Sequence, residues 1–110
     1  MASRPYVTRL SRQAYETLVG MGEADYERVD AFLSLFETQP HMGHPFSPDY
    51  EVALPPVDLN YLHVPSTHWF LLYQVDDEAG AIKLMLLGDS RRDPRTQFAH
   101  VPPEDWSVSS

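Results

Sequence analysis

The spacing of hydrophobic residues changes character near the middle of this 110-residue chain. Before residue 38 they recur at intervals of three and four, which follows one face of a helix. After residue 49 they alternate with polar residues or form short continuous runs, which is typical of β-strands. The connection between, residues 38–49, contains three prolines and a glycine and is predicted to be irregular. Helices followed by strands favour an α+β domain.

A short strand and two helices are predicted in the N-terminal part. Residues 6–10 alternate apolar and polar side chains, and Ser11 behind them can cap a helix. A glycine-containing link at residues 20–22 ends this helix. A second helix begins near Glu23 and stops at residues 38–40. Two helices joined by so short a link form an αα-hairpin.

Four further strands are predicted in the C-terminal part, at residues 50–54, 57–64, 67–75 and 81–87. The last two are apolar on both faces, which indicates a central position in the sheet. Trp69 and Tyr73 lie on one face of their strand and are predicted to be core residues rather than a stacking platform. Consecutive strands joined by short turns favour an antiparallel meander, so the predicted order is β-α-α-β-β-β-β.

Composition and length restrict the class of protein further. There is no cysteine, so neither a disulfide nor a thiolate metal site can form. The length is that of one domain. The longest apolar run, residues 69–73, is far shorter than the roughly 20 residues that a membrane helix needs. No signal peptide is visible in the first ten residues, and we expect a cytoplasmic protein without membrane contact.

The chain is acidic, with 8 Lys and Arg against 16 Asp and Glu and a formal net charge of −8. Proteins that grip nucleic acid through phosphates usually present a basic face, so this balance argues against general DNA or RNA binding. No Lys or Arg occurs between Arg28 and Lys83. Any basic patch must therefore be assembled from the two ends of the chain.

One stretch of sequence resembles the RelE/ParE family of bacterial toxins. Residues 69–77 read Trp-Phe-Leu-Leu-Tyr-Gln-Val-Asp-Asp, and an aliphatic strand at 82–87 and an arginine pair at 91–92 follow. Residues 6–14 are similar to the opening strand and helix of the family. The resemblance spans residues 6–95 and implies a two-helix hairpin on a twisted antiparallel sheet. Residues 1–95 would form this domain, and residues 96–110 a partly packed tail whose end is frayed.

The resemblance also implies a function. Family members are usually toxins of type II toxin–antitoxin systems, and a small antitoxin protein neutralises each of them. RelE-like members cut messenger RNA on the ribosome, whereas ParE-like members poison DNA gyrase. The resemblance thus implies a RelE-like mRNA endoribonuclease with an antitoxin partner, acting on RNA with the ribosome.

This chain departs from the family pattern in its charges. Phe70 stands where the motif commonly has arginine, and residues 50–64 have no Lys or Arg where cleaving members are often basic. These departures leave an alternative open, namely a non-catalytic interaction module on the same fold that binds an antitoxin or a gyrase-like target. Whether the chain forms a homodimer is left open as well.

Cleavage of RNA by its own 2′-hydroxyl requires a base, an acid and cations for the phosphate. Histidine suits both proton transfers because its pKa lies near neutrality. His63 and His68 flank residues 64–67, which are predicted to form a four-residue loop. The register of such a hairpin places His63 directly opposite His68, where the two imidazoles could act as acid and base. The alternative is a polar pair at an exposed hairpin tip.

Arg91, Arg92 and Arg95 follow the last predicted strand and are candidates for an RNA phosphate clamp. Arg91 and Arg92 also match the basic pair of the family. The alternative is a solvated segment whose charge is partly offset by Asp89 and Asp93.

The remaining candidates are weaker. Phe98 could stack on a base and His100 could act as an acid, the alternative being tail packing. Glu51 is a candidate general base, the alternative being a residue on the solvent face of its strand. His41 and His44 have the spacing of metal ligands, but no third ligand is evident, and neither a metal site nor a cofactor is predicted.

Overall fold

The computed structural model describes residues 5–45 and 59–91. In this part of the chain, five strands and two helices occur in the order β1 Val7–Leu10, α1 Arg12–Gly20, α2 Glu23–Phe36, β2 His44–Pro45, β3 Asn60–His63, β4 Trp69–Asp76 and β5 Ala81–Asp89. The predicted α+β class, the helix pair and the strands within 57–64, 67–75 and 81–87 are confirmed. The predicted strand at 50–54 lies outside the described residues. One correction concerns residues 38–49, since His44 and Pro45 form a short strand there.

The sheet is mixed rather than antiparallel throughout. Its strand order is β1-β5-β4-β3-β2, and β1 runs parallel to β5. The predicted meander of β3, β4 and β5 is antiparallel. The prediction failed for β1 because the hairpin rule applies only to consecutive strands, whereas β1 and β5 lie far apart in the chain.

Ser11 joins α1 to the centre of the sheet. Its hydroxyl oxygen accepts a hydrogen bond from the N–H of Ala14 at 3.1 Å, which confirms the predicted N-cap. The same hydroxyl donates to the carbonyl of Met85 in β5 at 2.6 Å. Ser11 is buried, so both bonds form away from water. One side chain thus caps α1 and fixes it against β5.

The main core lies between the helix pair and one face of the sheet. The ring of Phe36 packs edge-on against that of Tyr73 with centroids 4.8 Å apart. Tyr73 is buried and Trp69 packs against this core, which confirms the prediction for both. The other buried members are Ala14, Leu18, Val29, Leu33, Val64, Leu71, Ile82, Leu84 and Leu87.

A second buried cluster lies on the opposite face of the sheet, because neighbouring residues of a strand point to opposite sides. It consists of Leu59, Phe70, Leu72, Met85 and Leu86. An irregularity in the β4–β5 register beside Leu72 inserts Met85 into this cluster. Neither described helix is long and apolar enough to cross a membrane.

Candidate functional site

Three strand ends meet at one end of the sheet. β3 ends at His63, β4 begins directly after His68, and β5 ends shortly before Arg91. The N–H of Ser90 donates to the carbonyl of His68 at 2.7 Å and ties the end of β5 to the start of β4. One end of the meander therefore carries four polar residues, hereafter the strand-end site: His63, His68, Asp89 and Arg91.

The two histidines do not pair across the hairpin as predicted. His63 is opposite Phe70, two positions further along than His68. His63 stands exposed at the last position of β3. The expected side-by-side imidazole pair is therefore wrong, although both histidines stay at the same end of the sheet.

The register differs because the four-residue loop lies one position later than predicted, at residues 65–68 instead of 64–67. The hydroxyl of Thr67 donates to the carbonyl of Val64 at 2.9 Å and accepts from the N–H of Trp69 at 3.0 Å. The N–H of Val64 closes the loop on the carbonyl of Trp69 at 3.0 Å. Ser66 adopts a left-handed backbone with φ of 64°. The Thr67 bonds thus draw His68 out of β4 and into the turn.

Arg91 is held by Asp89 in a two-point ion pair. Nε of Arg91 lies 3.0 Å from Oδ1 of Asp89, and Nη2 lies 2.8 Å from Oδ2. The N–H of Arg91 also donates to Oδ1 at 2.9 Å. These hydrogen bonds lower the pKa of Asp89 and raise the pKa of Arg91. A phosphate that binds Arg91 must compete with this carboxylate.

The N-terminal half of α2 packs beside the strand-end site. Nε1 of Trp69 donates to Oδ2 of Asp25 at 3.2 Å, and Nη1 of Arg28 donates to the carbonyl of Ser66 at 3.4 Å. The charge of Asp25 also raises the pKa of Arg91. The sequence analysis missed Asp25 and Arg28 as neighbours because nothing in their local pattern links α2 to the β3–β4 turn.

The side chain of Gln13 hydrogen-bonds to the edge of β5 beyond the point where β1 ends. Its side-chain nitrogen donates to the carbonyl of Leu87 at 3.1 Å, and its side-chain oxygen accepts from the N–H of Leu87 at 3.0 Å. The carboxamide replaces a strand neighbour here. A 50 Å³ cavity that Gln13 shares with Trp69 and Asp89 separates α1 from the strand-end site. This volume is large enough to hold ordered water.

Two cations from opposite ends of the chain lie side by side on the sheet. Arg9 in β1 is the register partner of Lys83 in β5. This pair lies on the sheet face away from the helices, because Thr8 and Leu10 point towards them. The pair lies at the β1 side of the sheet, whereas Arg91 lies beyond the end of β5.

His41 and His44 contact different parts of the molecule. Nε2 of His41 lies 2.8 Å from Oδ1 of Asp77, which also accepts a hydrogen bond from the hydroxyl of Tyr6 at 2.6 Å. Both bonds lower the pKa of Asp77, the one from Tyr6 most strongly. The ring of His44 lies 5.5 Å from that of Tyr61. Within residues 5–45 and 59–91, no group of three potential metal ligands comes together.

Five predicted site residues lie outside the described part of the chain. They are Glu51, Arg92, Arg95, Phe98 and His100. Their roles as base, phosphate ligands, stacking residue and acid stay predictions.

Comparison with known proteins finds matches among solved structures. The isolated RelE toxin of E. coli superposes with a TM-score of 0.60 at 19% identity, over 80% of this chain and 87% of that chain. The RelE–RelB complex of Pyrococcus horikoshii OT3 matches with a TM-score of 0.58 at 18% identity, over 82% and 100%. The intact E. coli RelBE toxin–antitoxin complex matches with a TM-score of 0.58 at 20% identity, over 79% and 99%.

Comparison by sequence gives no match, either to a protein-family model or to a curated protein. At identities of 18–20%, the structural likeness shows the fold. The fold that the resemblance over residues 6–95 implied is confirmed.

Proposed function

We propose that this chain, which has the RelE fold, is the toxin of a RelE-type toxin–antitoxin pair and is neutralised by a small antitoxin. The observation that carries the proposal is the extent of the structural match. It covers 79–82% of this chain and nearly all of the toxins solved with their antitoxins. The relatives are described as toxins in isolation and in complexes with RelB, and the proposal extends that pairing to this chain.

We further propose that the toxin cleaves messenger RNA on the ribosome, at the strand-end site. Supporting this, His63, His68 and Arg91 lie at the same end of the sheet. His63 shares the sheet face of Phe70, whereas Asp89, which holds Arg91, shares the face of Trp69, so a substrate that meets both must pass around the end of the sheet. An imidazole can take the proton from the 2′-hydroxyl or give one to the leaving oxygen. Arg91 would hold the phosphate, with Arg92 and Arg95 as the next cations in the chain.

The ion pair of Arg91 sets a condition on this mechanism. The Asp89 carboxylate occupies both the Nε and Nη2 donors of Arg91, with separations of 3.0 and 2.8 Å. RNA must therefore displace Asp89 before a phosphate can take the same two donors. The ribosome, which presents the messenger RNA in a fixed position, would offset that cost by orienting the phosphate.

The same ion pair favours a second candidate, a RelE-fold module that binds a protein and cleaves nothing. With Arg91 neutralised and a formal net charge of −8, the protein itself attracts RNA weakly. A protein partner with basic segments would meet no such barrier.

An RNA cleavage assay separates the two candidates. The purified chain is added to ribosomes stalled on a defined messenger RNA, and cuts are mapped by primer extension. We expect cuts within the ribosome-bound codon, and a loss of rate of about 100-fold or more when His63 and His68 are both replaced by alanine. Replacement of Arg91 and Arg92 together by alanine should abolish the cuts.

Arg12→Ala is the matched control, because Arg12 is an exposed arginine of α1 with its own ion pair to Glu16. Its rate should equal that of the unmodified chain. If every variant still inhibits growth and no messenger RNA is cut, the non-catalytic module remains as the function.

A further inference from the structure

Three rings lie in a row on the face of the sheet that points away from the helices. The ring centroids of Phe70 in β4 and Tyr61 in β3 are 5.3 Å apart, with their planes inclined by 30°. Those of Tyr61 and His44 in β2 are 5.5 Å apart, with their planes inclined by 45°. Phe70 is buried, Tyr61 is half-buried and His44 is exposed. This set, hereafter the aromatic row, therefore runs from the buried cluster to solvent at β2.

Gly43 brings His44 to its place in the aromatic row. The pairing of β2 with β3 sets His44 opposite Tyr61. A Cβ at Gly43 would lie 2.7 Å from the carbonyl oxygen of Tyr61 and would overlap the hydroxyl of Tyr73. A side chain at residue 43 would therefore force β2 away from β3, whereas glycine allows this close approach. The backbone thus fixes the exposed imidazole beside the ring of Tyr61.

The aromatic row adjoins one residue of the strand-end site. His63 follows Tyr61 by two positions on β3, so the two side chains share a sheet face. His63 is also the register partner of Phe70. Two residues of a strand span about 7 Å, and one nucleotide bridges such a separation between its base and its phosphate. A base on the aromatic row would thus place its phosphate beside the imidazole of His63.

Charge and chemistry restrict what the aromatic row can bind. The two strands that carry its outer members, β2 and β3, contain no Asp, Glu, Lys or Arg, so they offer a phosphate neither Lys nor Arg. Rings instead stack on nucleobases, and this contact does not require a basic protein surface. It therefore suits a chain with a formal net charge of −8. His44 is the exposed member of the row, so a base would stack on its ring.

We propose that the aromatic row is a nucleobase subsite, in which one base of an RNA stacks on His44 with Tyr61 behind it. The subsite orients the nucleotide so that its phosphate lies at His63. His44 and Tyr61 are positioning residues here, since neither transfers a proton. This inference rests on the proposed function in that the base belongs to the messenger RNA that the strand-end site cleaves.

Two small phosphates test the subsite without the ribosome. Adenosine 5′-monophosphate carries a base, whereas ribose 5-phosphate has the same sugar and phosphate without one. Each is titrated at millimolar concentration into the full chain and followed by NMR. We expect the nucleotide to shift the ring resonances of His44 and Tyr61 upfield, because a stacked base adds its ring current, and ribose 5-phosphate to leave them in place. No shift with the nucleotide, or equal shifts with both compounds, would overturn the proposal.

Variants of His44 separate a stacking ring from a polar imidazole. His44→Ala removes the ring and should weaken the binding of adenosine 5′-monophosphate about fivefold or more. His44→Phe keeps a ring that cannot exchange a proton and should retain the affinity within about twofold. His41→Ala is the matched control, because His41 is an exposed histidine three positions earlier that contacts Asp77 instead of the aromatic row. It should bind like the unmodified chain. Binding by His44→Phe as weak as by His44→Ala would contradict stacking.

The two proposals fail separately. A chain that neither inhibits growth nor cuts RNA, but shows the base-dependent shifts at His44 and Tyr61, would remove the proposed toxin and keep the nucleobase subsite. A toxic chain that cuts messenger RNA equally fast with His44→Ala would remove the subsite and keep the toxin.

Discussion

Asp89 and Arg91 form a closed pair at the end of β5, with Nε–Oδ1 and Nη2–Oδ2 separations of 3.0 and 2.8 Å. One of the two arginines that match the basic pair of the family is therefore neutralised by Asp89, two positions earlier. Arg91 is 62% exposed, while Asp89 is only 15% exposed. The carboxylate is mostly buried, whereas the guanidinium is largely exposed and so accessible to another anion. Whether Arg91 binds RNA depends on how well an RNA phosphate competes with the Asp89 carboxylate.

Removing the charge of Asp89 should release Arg91 to bind phosphate. Asp89→Asn is expected to raise the affinity for single-stranded RNA about three- to tenfold at low salt, because a charge-assisted bond to phosphate becomes available. Fluorescence anisotropy with a labelled RNA measures this. Asp30→Asn makes the same change in net charge on α2 and should have a much smaller effect. Equal gains from both variants would show that only net charge matters.

The ion pair should make the free energy of unfolding depend on pH in the acid range. The pKa of Asp89 is lowered, chiefly by the side-chain hydrogen bonds from Arg91, so the folded state binds this proton less readily than the unfolded chain. The stability from the pair is then fully present above the ordinary Asp pKa of about 3.9 and is lost as pH falls through the lowered value.

Urea denaturation of the unmodified chain and of Arg91→Ala measures the effect of that pair. We expect Arg91→Ala to be slightly less stable than the unmodified chain near neutral pH, and only slightly because the guanidinium is exposed. The difference should shrink below about pH 4. A difference that stays constant down to pH 2 would contradict the assigned role of Asp89.

Ser11→Ala should destabilise the fold through two lost bonds. The substitution removes the cap on the N–H of Ala14 and leaves the carbonyl of Met85 without its hydroxyl donor. We expect a loss of about 2–4 kcal/mol in the free energy of unfolding. Ser34→Ala is the control, because its exposed hydroxyl donates only to the carbonyl of Asp30 within α2. A loss below that of the control would refute the role of Ser11.

Gly88→Ala should also destabilise the fold, for steric reasons. A Cβ at Gly88 would overlap the ring of Phe70, its register partner in β4. We expect a loss of about 1–3 kcal/mol, typical of overpacking. Gly20→Ala, where a Cβ meets open space at the end of α1, should be neutral or stabilising. The double variant Gly88→Ala with Phe70→Leu should recover part of the loss, and no recovery would exclude this clash as the cause.

The helices and central strands could be predicted from sequence because their local signals agree with the fold. Ser11 caps α1 as its position indicated, and Tyr73 is buried as its strand pattern indicated. The hairpin between β3 and β4 could not be placed in the same way. Its register depends on the Thr67 side chain, which bonds to the carbonyl of Val64 and accepts the N–H of Trp69. Alternation does not distinguish the two registers, because a shift of two residues keeps every side chain on the same face of the sheet.

The candidate site was only partly predictable for a different reason. The distribution of Lys and Arg required any basic patch to combine the two ends of the chain, and Arg9 is the register partner of Lys83. The approach of Asp25 to Trp69 joins residues 44 positions apart and depends on how α2 packs on the sheet. Such long-range neighbours carry no signature in a single sequence.

Growth of a bacterial culture after induced expression tests the central proposal most directly. The chain is expressed alone, and together with the small protein encoded in the neighbouring reading frame. We predict that growth stops with the chain alone and resumes with both, and that the two proteins purify as one complex. Normal growth with the chain alone, at a level where folded protein accumulates, would contradict the assignment as a toxin.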